Sequence, residues 1–318
     1  MGLILALLVQ GLQMALVIAL APLLTGLVRK VKARLTRRRG ASILQPWRDI
    51  LRLLRKEAVL AQNASWLFRA APYLIFAATW VAAALVPTFA TGLQFSWTAD
   101  LIAIVALLGS ARFYLALAGM DVGTAFGGLG ASREMMIATI AEPAMLLITF
   151  SLALVAGSTQ LSTIAAVMAS PAVGLRVSLG MGLVALVIVA LAENARIPVD
   201  NPSTHLELTM VHEAMVLEYS GRHLAMIELA AALKLLLYVS LIACVFFPWG
   251  IAGPGTGLFA HLAAVAIYLG KLALGGTALA MFETSVAKMR VFRVPDFLGI
   301  ALMLGLLGTL LLFVSRGL

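Results

Sequence analysis

Long, unbroken runs of apolar residues constrain this sequence more than any other feature. Charged residues make up only 12% of its 318 positions, about half of the ~25% found in soluble domains, and the mean hydropathy is +1.04. A helix needs ~20 apolar residues to cross a bilayer core of ~30 Å, whereas a membrane β-barrel shows alternating residues. The runs predict an all-α polytopic membrane protein, a single transmembrane domain over residues 1–318 with about eight helices. The predicted spans are 3–28, 72–90, 100–120, 135–157, 173–192, 224–248, 257–281 and 296–315.

The distribution of positive charge predicts how these spans are oriented. Of the 23 Lys and Arg residues, 12 fall between Arg29 and Arg69, directly after the first span. The loops around 91–99, 158–171 and 249–256 contain no Lys or Arg. Because cytoplasmic loops are enriched in Lys and Arg, the loops after the odd-numbered spans are expected in the cytoplasm and both termini outside. The net charge of +9 therefore reflects topology, and no nucleic-acid partner is expected, since no reader motif accompanies it.

The first cytoplasmic loop, 29–69, contains an amphipathic pattern. In "QPWRDILRLLRKEAVL", Trp47, Ile50, Leu51, Leu54 and Ala58 share one helical side, with basic residues largely opposite. Such a helix lies at the level of the lipid headgroups. It could be a lipid-anchored connector or a docking surface for a peripheral protein, and the pattern allows both.

Several charged residues fall inside the predicted spans, where each costs at least ~2.5–3.5 kcal/mol. They must face one another or a hydrated interior, because lipid provides no partner for them. Arg112, Lys234 and Lys271 could simply neutralise acids, or the buried groups could form a chain that passes protons. The charged residues within spans are Arg112, Glu142, Glu228, Lys234 and Lys271, and Asp121, Glu193 and Glu283 mark the cytoplasmic ends of spans.

The segment 193–223 is predicted to be an acidic cytoplasmic loop. Residues 193–221 contain five of the chain's 14 acidic residues: Glu193, Asp200, Glu207, Glu213 and Glu218. Pro198 and Pro202 forbid a continuous helix, so 194–204 should be a bent connection. Beyond it, Ser203 or Thr204 could cap a short helix in which Glu207 and Glu218 share a face.

The sequence offers no arrangement typical of a catalytic or metal site. A single cysteine, Cys244, excludes a protein-held iron–sulfur cluster within this chain. His205, Glu207, His212 and Glu213 are close in sequence, but "HEAMV" has Val216 where a metalloprotease helix needs its second histidine. We therefore expect no cofactor, metal or catalytic residue here, and any redox centre should belong to a partner.

A glycine-rich stretch, "GGLGASRE" at 127–134, follows a predicted span and not a β-strand. A nucleotide-binding interpretation needs the strand. The stretch is instead predicted to be a tight cytoplasmic turn with close backbone packing, presenting Ser132, Arg133 and Glu134. Together with His205 and Glu213, Arg133 and Glu134 are candidates for docking a partner.

Three motifs in order resemble the respiratory complex I subunit 1 family: "RRGASILQPWRDILRLLRKE", "GMDVGTAFGGLGASRE" followed by Glu142–Pro143, and "ENARIPVDNPSTHLELTMVHEAMVLEYSG". Within that family the sequence is similar to the membrane subunit of group 4 energy-converting [NiFe] hydrogenases and formate hydrogenlyase-type complexes. Ser203 and His205 stand where the quinone-reducing branch has glutamates, and about three residues are added before Glu218, which argues against a quinone site.

The resemblance implies eight transmembrane helices with the acidic loop beneath a peripheral redox arm. It also implies a proton path that begins at buried carboxylates, which by motif position are Glu142, Glu193, Asp200, Glu207 and Glu218. Burial alone adds Arg112, Asp121 and Lys234 to these candidates.

The function implied by the resemblance is that of a non-catalytic subunit in the membrane of a bacterial or archaeal cell. It would couple electron transfer to proton or sodium translocation. The implied partners are hydrogenase large and small subunits, with the [NiFe] centre and iron–sulfur clusters, and antiporter-like membrane subunits. The alternatives are the quinone-site subunit of a complex I-type enzyme and, from another class, a self-standing transporter.

Overall fold

A computed structural model describes residues 3–93, 95–170, 176–200, 210–253, 255–287, 289–290 and 293–317. Within these ranges the chain forms eleven α-helices and a short 3₁₀ turn at Ser96–Thr98. The helices are α1 (Leu3–Leu35), α2 (Gln45–Leu54), α3 (Trp66–Leu85), α4 (Leu101–Asp121), α5 (Ala125–Ala156), α6 (Leu161–Met168), α7 (Val177–Glu193), α8 (His212–Val216), α9 (Gly221–Phe246), α10 (Leu258–Ser285) and α11 (Val294–Gly317).

Eight of these helices correspond to the eight predicted spans. Seven of them, α1, α3, α4, α5, α9, α10 and α11, are long and apolar enough to cross a membrane. The eighth, α7, is apolar and 17 residues long, so it rises roughly 25 Å. The prediction of an all-α polytopic membrane protein is confirmed.

Helix α9 forms the centre of the bundle. In its most apolar window 72% of the residues are buried, against 22% in α10. It contacts α1, α2, α3, α6, α7 and α10, while α11 packs on α5 and α7. A helix that is apolar all round and surrounded by other helices is the expected core of a membrane bundle.

The loops without Lys or Arg meet at one end of the bundle. The backbone of Ala90 pairs with that of Ala252, and Asp100 pairs with Gln160. The amide of Leu161 also donates a hydrogen bond to the carbonyl of Ala99, at 3.0 Å. The charge-poor loops therefore share one face, and the basic and acidic loops lie at the other.

The amphipathic segment of the first loop is helical, as predicted. Ile50 is 4% exposed, whereas Leu51 and Leu54 are 48% and 45% exposed. The indole of Trp47 donates a hydrogen bond to the carbonyl of Ala19 in α1, at 2.9 Å. The helix ends at Leu54, so Ala58 does not belong to it. Its exposed apolar side is compatible with both lipid contact and partner docking.

The predicted turn at 127–134 is wrong, because these residues form the first turns of α5. Thr124 caps this helix through a hydrogen bond from the amide of Gly127, at 3.3 Å. The glycines allow backbones to approach: a Cβ on Gly127 would overlap the carbonyl oxygen of Gly119 in α4, and one on Gly130 would lie 2.8 Å from the carbonyl oxygen of Val211. Close backbone packing was thus predicted correctly and the element was not.

The acidic loop differs in part from its prediction. Residues 194–200 are non-helical, as Pro198 requires, while Ser203, Thr204, His205 and Glu207 lie outside the described residues. The expected helix carrying both Glu207 and Glu218 is wrong, because residues 210–211 are not helical and α8 ends at Val216. Glu218 is exposed in the turn that follows.

The end of the acidic loop is fixed against the loop 29–69. The ring of Tyr219 stacks on Phe68 with centroids 4.0 Å apart, and its hydroxyl donates to the carbonyl of Phe68 at 3.0 Å. The hydroxyl of Ser220 accepts a hydrogen bond from the amide of Val59 at 2.8 Å. The "EYSG" motif therefore joins the loops 29–69 and 193–223.

Candidate functional site

An ion-pair network lies in the middle of the bundle around Arg112, whose side chain is only 3% exposed. Its Nε lies 3.2 Å from Oε1 of Glu134, its Nη1 lies 3.6 Å from Oε1 of Glu142, and its Nη2 contacts Oε1 of Glu193. The other oxygen of Glu193 accepts a hydrogen bond from Nζ of Lys234 at 3.4 Å. These five residues, the Arg112 network, come from four helices: α4, α5, α7 and α9.

The charges of the Arg112 network do not balance. Three carboxylates face two cations, so the fully ionised network has one net negative charge. Burying an uncompensated charge is costly, and closely coupled carboxylates share protons as a group. Binding one proton or one cation would balance the charge.

The depth of the Arg112 network follows from its place on α4. Arg112 lies eleven residues from Leu101 and nine from Asp121 at the ends of that helix, or roughly 14–17 Å along the axis. Headgroups therefore cannot reach the guanidinium, and its partners must come from protein or internal water.

The structure brings together four of the predicted path residues and separates others. Arg112, Glu142, Glu193 and Lys234 are members of the Arg112 network. Asp121 lies at the end of α4, where its carboxylate accepts a hydrogen bond from the amide of Ser65 at 2.8 Å. Glu218 is exposed and Glu207 lies outside the described residues. The roles assigned to all of these residues stay predictions.

The residues predicted to dock a partner do not lie together in one exposed loop. Glu134 is 7% exposed and belongs to the Arg112 network. The guanidinium of Arg133 donates a hydrogen bond to the carbonyl of Met210 at 2.8 Å, which holds the acidic loop on α5. Glu213 lines an internal cavity, and His205 lies outside the described residues. Placing Arg133 and Glu134 in a loop was wrong because that stretch is helical.

A cavity of about 700 Å³ opens at the end of the bundle that contains the basic and acidic loops. Its walls come from α1, α2, α8, α9, α10 and the connection after α7. Its surface is unusually rich in ionisable groups for a space between membrane helices. Those among the described residues are Arg29, Lys32, Arg38, Asp49, Arg196, Asp200, His212, Glu213, Glu228 and Glu283.

One wall of the cavity is closed by an ion pair that sequence reasoning missed. The carboxylate of Glu283, whose side chain is 3% exposed, lies 3.2 Å from Nζ of Lys32 and 3.5 Å from Nη1 of Arg196. It thereby links α1, α10 and the connection after α7. The signal was a carboxylate at the end of a span, but nothing in the spacing identified its two partners.

Titratable groups of the acidic loop connect the cavity with the Arg112 network. Burial, followed by the positive charge of Lys234, lowers the pKa of His212 to about 4. Burial, followed by the nearby charges of Glu228 and Asp200, raises the pKa of Glu213. His212 lines the cavity and is close enough to Lys234 and Glu134 to respond to their charge. A change of charge in the cavity would therefore be felt by the network.

The remaining charges within spans have separate explanations. Nζ of Lys271 donates hydrogen bonds to the carbonyls of Phe247 and Trp249, both at 2.6 Å, and lies 4.6 Å from the centre of the Trp249 ring. It therefore satisfies the end of α9 instead of neutralising an acid. Glu228 is exposed toward the cavity. Among the described residues, no group of three His, Cys, Asp or Glu could hold a metal ion.

Comparison with known proteins places this geometry in a family. Residues 7–314 match the NADH dehydrogenase family. Formate hydrogenlyase subunit 4 of Escherichia coli is 34% identical over 285 residues, which cover 89% of this chain and 91% of that protein. Hydrogenase-4 component C of the same organism is 34% identical over 75% of this chain and 74% of its own length.

A more distant relative and a solved structure extend the comparison. NADH-ubiquinone oxidoreductase chain 1 of Triticum aestivum is 31% identical over 71% of this chain and 72% of that protein. A chain in the structure of an archaeal respiratory membrane complex, the membrane-bound sulfane sulfur reductase, superposes with a TM-score of 0.81. It is 21% identical, and the match covers 95% of this chain and 99% of that one. With its eight apolar helices and family match over almost the full length, the chain is a multi-pass membrane protein of the NADH dehydrogenase family, similar to complex I subunit 1.

Proposed function

We propose that this chain is the membrane subunit of an energy-converting hydrogenase complex of the formate hydrogenlyase type. It would anchor the peripheral redox arm and couple electron transfer to the translocation of protons or sodium ions. The [NiFe] centre and iron–sulfur clusters would belong to hydrogenase large and small subunits, and antiporter-like subunits would extend the ion path. The similarity to formate hydrogenlyase subunit 4 over 89% of the chain supports this assignment.

The observation that carries the proposal is the Arg112 network between the charged cavity and the membrane interior. Its surplus carboxylate can hold one proton at a depth that bulk water does not reach. Asp200, His212 and Glu213 would receive protons at the cavity, and Glu193 with Lys234 would pass them to the carboxylates around Arg112, which itself stays protonated. A change of charge in a redox partner seated over the cavity would shift the proton affinity of these groups by Coulomb interaction.

The same proposal fixes an orientation. The basic loop 29–69 and the acidic loop 193–223 would face the cytoplasm of a bacterial or archaeal cell, with both termini outside. Loops 91–99 and 249–256 at the opposite end contain no Lys or Arg, and Arg176 is the single basic residue between α6 and α7, which supports this orientation. The exposed side of α2 would then be available to the lipid surface or to the redox arm.

Purification of the tagged chain from its native membrane tests the assignment. The expected complex contains nickel, evolves hydrogen from a low-potential donor, and acidifies or alkalinises sealed vesicles as it turns over. A complex without nickel that reduces quinone would overturn it. Ion movement by the purified chain alone in liposomes would instead favour a self-standing transporter.

A second candidate is the quinone-site subunit of a complex I-type enzyme, which the cavity itself favours. Its volume of about 700 Å³ lies within the ~300–1,000 Å³ of small-molecule sites. Ten ionisable side chains on its walls are a poor surface for an apolar quinone tail, however. Quinone reduction that is blocked by tail-bearing quinone analogues would support this candidate over the hydrogenase.

A further inference from the structure

We propose that α2 is a binding surface for anionic phospholipid. Its exposed leucines, Leu51 and Leu54, lie among acyl chains, and Arg48 and Arg55 bind the phosphate of the headgroup. The inference goes beyond the proposed function and depends only on insertion of this chain into a membrane. It decides between the two roles that the amphipathic pattern allows, which are lipid contact and docking of a peripheral protein.

The start of α2 lies beside the apolar part of α1. A Cβ on Gly26 would overlap the carbonyl oxygen of Ile43, and the indole of Trp47 donates its hydrogen bond to the carbonyl of Ala19. Arg29 is the first charged residue of α1, so these contacts lie roughly 4–15 Å along the axis before the charge begins. An interfacial helix sits ~5–10 Å into the boundary between headgroups and acyl chains. The contacts with α1 therefore place α2 at this boundary.

Three sides of α2 differ in character. Ile50 is buried, on the side that packs on α1 and α9. Leu51 and Leu54 are 48% and 45% exposed. With ~3.6 residues per turn, Arg48 and Arg55 project within about 60° of Leu51, so the basic side adjoins the exposed leucines. At the depth of the acyl chains these leucines are out of reach of a water-soluble protein, and lipid is the occupant that suits both sides.

The basic side of α2 lacks acids to neutralise it. Arg52 pairs with Asp49 at 2.9 Å, whereas Arg48 and Arg55 are exposed and have no ion-pair partner within the described part of the chain. From Arg29 to Arg48 the sequence has eight Lys or Arg residues and no Asp or Glu. Guanidinium groups donate paired hydrogen bonds to phosphate oxygens, and basic residues beside a membrane are attracted to anionic lipid. The headgroup that fits this side is therefore a phosphate with net negative charge.

The turn between α1 and α2 adds cations near the same level. Nζ of Lys30 donates a hydrogen bond to the carbonyl of Gly40 at 3.4 Å, so the chain folds back along the end of α1. Arg37 and Arg39 within this turn are exposed. A zwitterionic headgroup carries its own cation and is attracted less strongly to such a surface than an anionic one. The surface should therefore select phosphatidylglycerol or cardiolipin over phosphatidylethanolamine.

Photo-crosslinking in the intact complex identifies what covers the exposed leucines. A benzophenone amino acid at position 51 is expected to form adducts with phospholipid, which mass spectrometry detects as lipid masses added to the peptide that contains α2. Adducts with a peripheral subunit would make α2 a docking surface for the redox arm. Adducts with another membrane subunit would make it an interface between helices, and either result would overturn the inference.

The same crosslink measures the role of the arginines. In nanodiscs that contain equal amounts of phosphatidylglycerol and phosphatidylethanolamine, phosphatidylglycerol should dominate the adducts severalfold. Replacing both arginines, Arg48→Gln with Arg55→Gln, should abolish this excess. The matched control, Arg290→Gln with Arg293→Gln, removes two exposed charges between α10 and α11 and should keep it. Equal adducts with both lipids in the unsubstituted chain, or an excess that survives loss of Arg48 and Arg55, would contradict the inference. Nickel content, measured in parallel, reports on the proposed function and fails independently of the crosslink.

Discussion

Glu193 is the residue that joins the two cations of the Arg112 network. One of its oxygens contacts Arg112 and the other accepts a hydrogen bond from Lys234. It lies at the last position of α7, directly before the non-helical connection that lines the cavity. A carboxylate with a cation on each oxygen can exchange a proton only if those cations move or their own charge is compensated. This couples the protonation of Glu193 to the arrangement of its neighbours.

Loss of the central cation should destabilise the protein strongly. Arg112→Leu leaves three carboxylates beside a single lysine, two of them buried (Glu134 and Glu193), which is expected to cost about 3–5 kcal/mol. Arg52→Leu is the matched control, because it breaks an ion pair with Asp49 whose arginine side chain is 67% exposed, worth ~0–1 kcal/mol. Thermal unfolding of the detergent-solubilised complex measures both. Equal losses for the two variants would contradict a buried, coupled network.

The low pKa of His212 predicts a pH dependence of stability. Its pKa is about 4 in the folded protein against ~6.5 in an unfolded chain. Between these values the unfolded state binds the proton and the folded state does not. The stability that His212 contributes is therefore complete above pH 6.5 and is lost as the pH falls toward 4. His212→Gln should make the unfolding midpoint less sensitive to acid over this window.

Glu213 changes folding stability with pH in the direction opposite to His212, and a control variant separates the two effects. Its raised pKa means that the folded state keeps a proton which the unfolded state has released, so its contribution is lost as the pH rises. The difference between wild type and His212→Gln isolates the histidine, and His261→Gln, near the start of α10 at the other end of the bundle, is the control. A pH profile unaltered by His212→Gln would show that this ring does not change charge in the window.

At the scale of elements, apolar runs sufficed to predict the spans, since lipid selects for length and hydrophobicity whatever the helices contact. The start of α5 was missed by ten residues because Gly127, Gly128 and Gly130 are typical of turns. Tertiary packing overrides that preference here, as Gly127 meets the backbone of α4. Because a turn was predicted where α5 begins, the sequence did not show that Glu134 lies two helical turns before Glu142 on α5.

The Arg112 network could be predicted only in part for a related reason. Charged residues in the middle of a span, such as Arg112 and Lys234, indicate that polar partners exist within the protein, because lipid supplies none. Which partners they have depends on how four helices pack, and sequence spacing does not encode contacts between Arg112 and Glu193. Pairing across helices is therefore knowledge that only the structure provides.

The crossing of α4 and α5 predicts unequal effects of adjacent substitutions. Gly127→Ala would force apart two backbones and should cost ~1–3 kcal/mol of stability. Gly128→Ala is the matched control, since a Cβ there has no atom within 4 Å and alanine favours a helix over glycine. Comparing the unfolding midpoints and membrane levels of the two variants tests the crossing. If Gly127→Ala left the unfolding midpoint and the membrane level unchanged, α4 and α5 would not approach so closely.

At the scale of the whole molecule, the two ends of the bundle differ in charge, and they should differ in their reaction with reagents added outside the cell. The single cysteine, Cys244, is buried, so introduced cysteines can be labelled against a low background. Trp97→Cys, at a position 71% exposed among the charge-poor loops, is expected to react with an impermeant maleimide in intact cells. Arg55→Cys should react only after the membrane is opened. The reverse pattern would invert the proposed topology.

In the proposed function, the charged cavity and the Arg112 network form one route from the end of the bundle toward the middle of the membrane. Glu142 would lie at the end of that route, where its side chain is 45% exposed. Glutamine keeps its size and hydrogen bonding but cannot ionise. Because the network would then hold two cations and two carboxylates, Glu142→Gln should assemble normally.

The most direct test is the number of ions moved per electron by the reconstituted complex containing Glu142→Gln. We expect hydrogen evolution with an artificial donor to persist while ion transport per electron falls severalfold, and Asp296→Asn, at an exposed carboxylate near the start of α11, to match wild type. An unchanged ratio of ions to electrons in Glu142→Gln would contradict the claim that these buried acids couple electron transfer to transport.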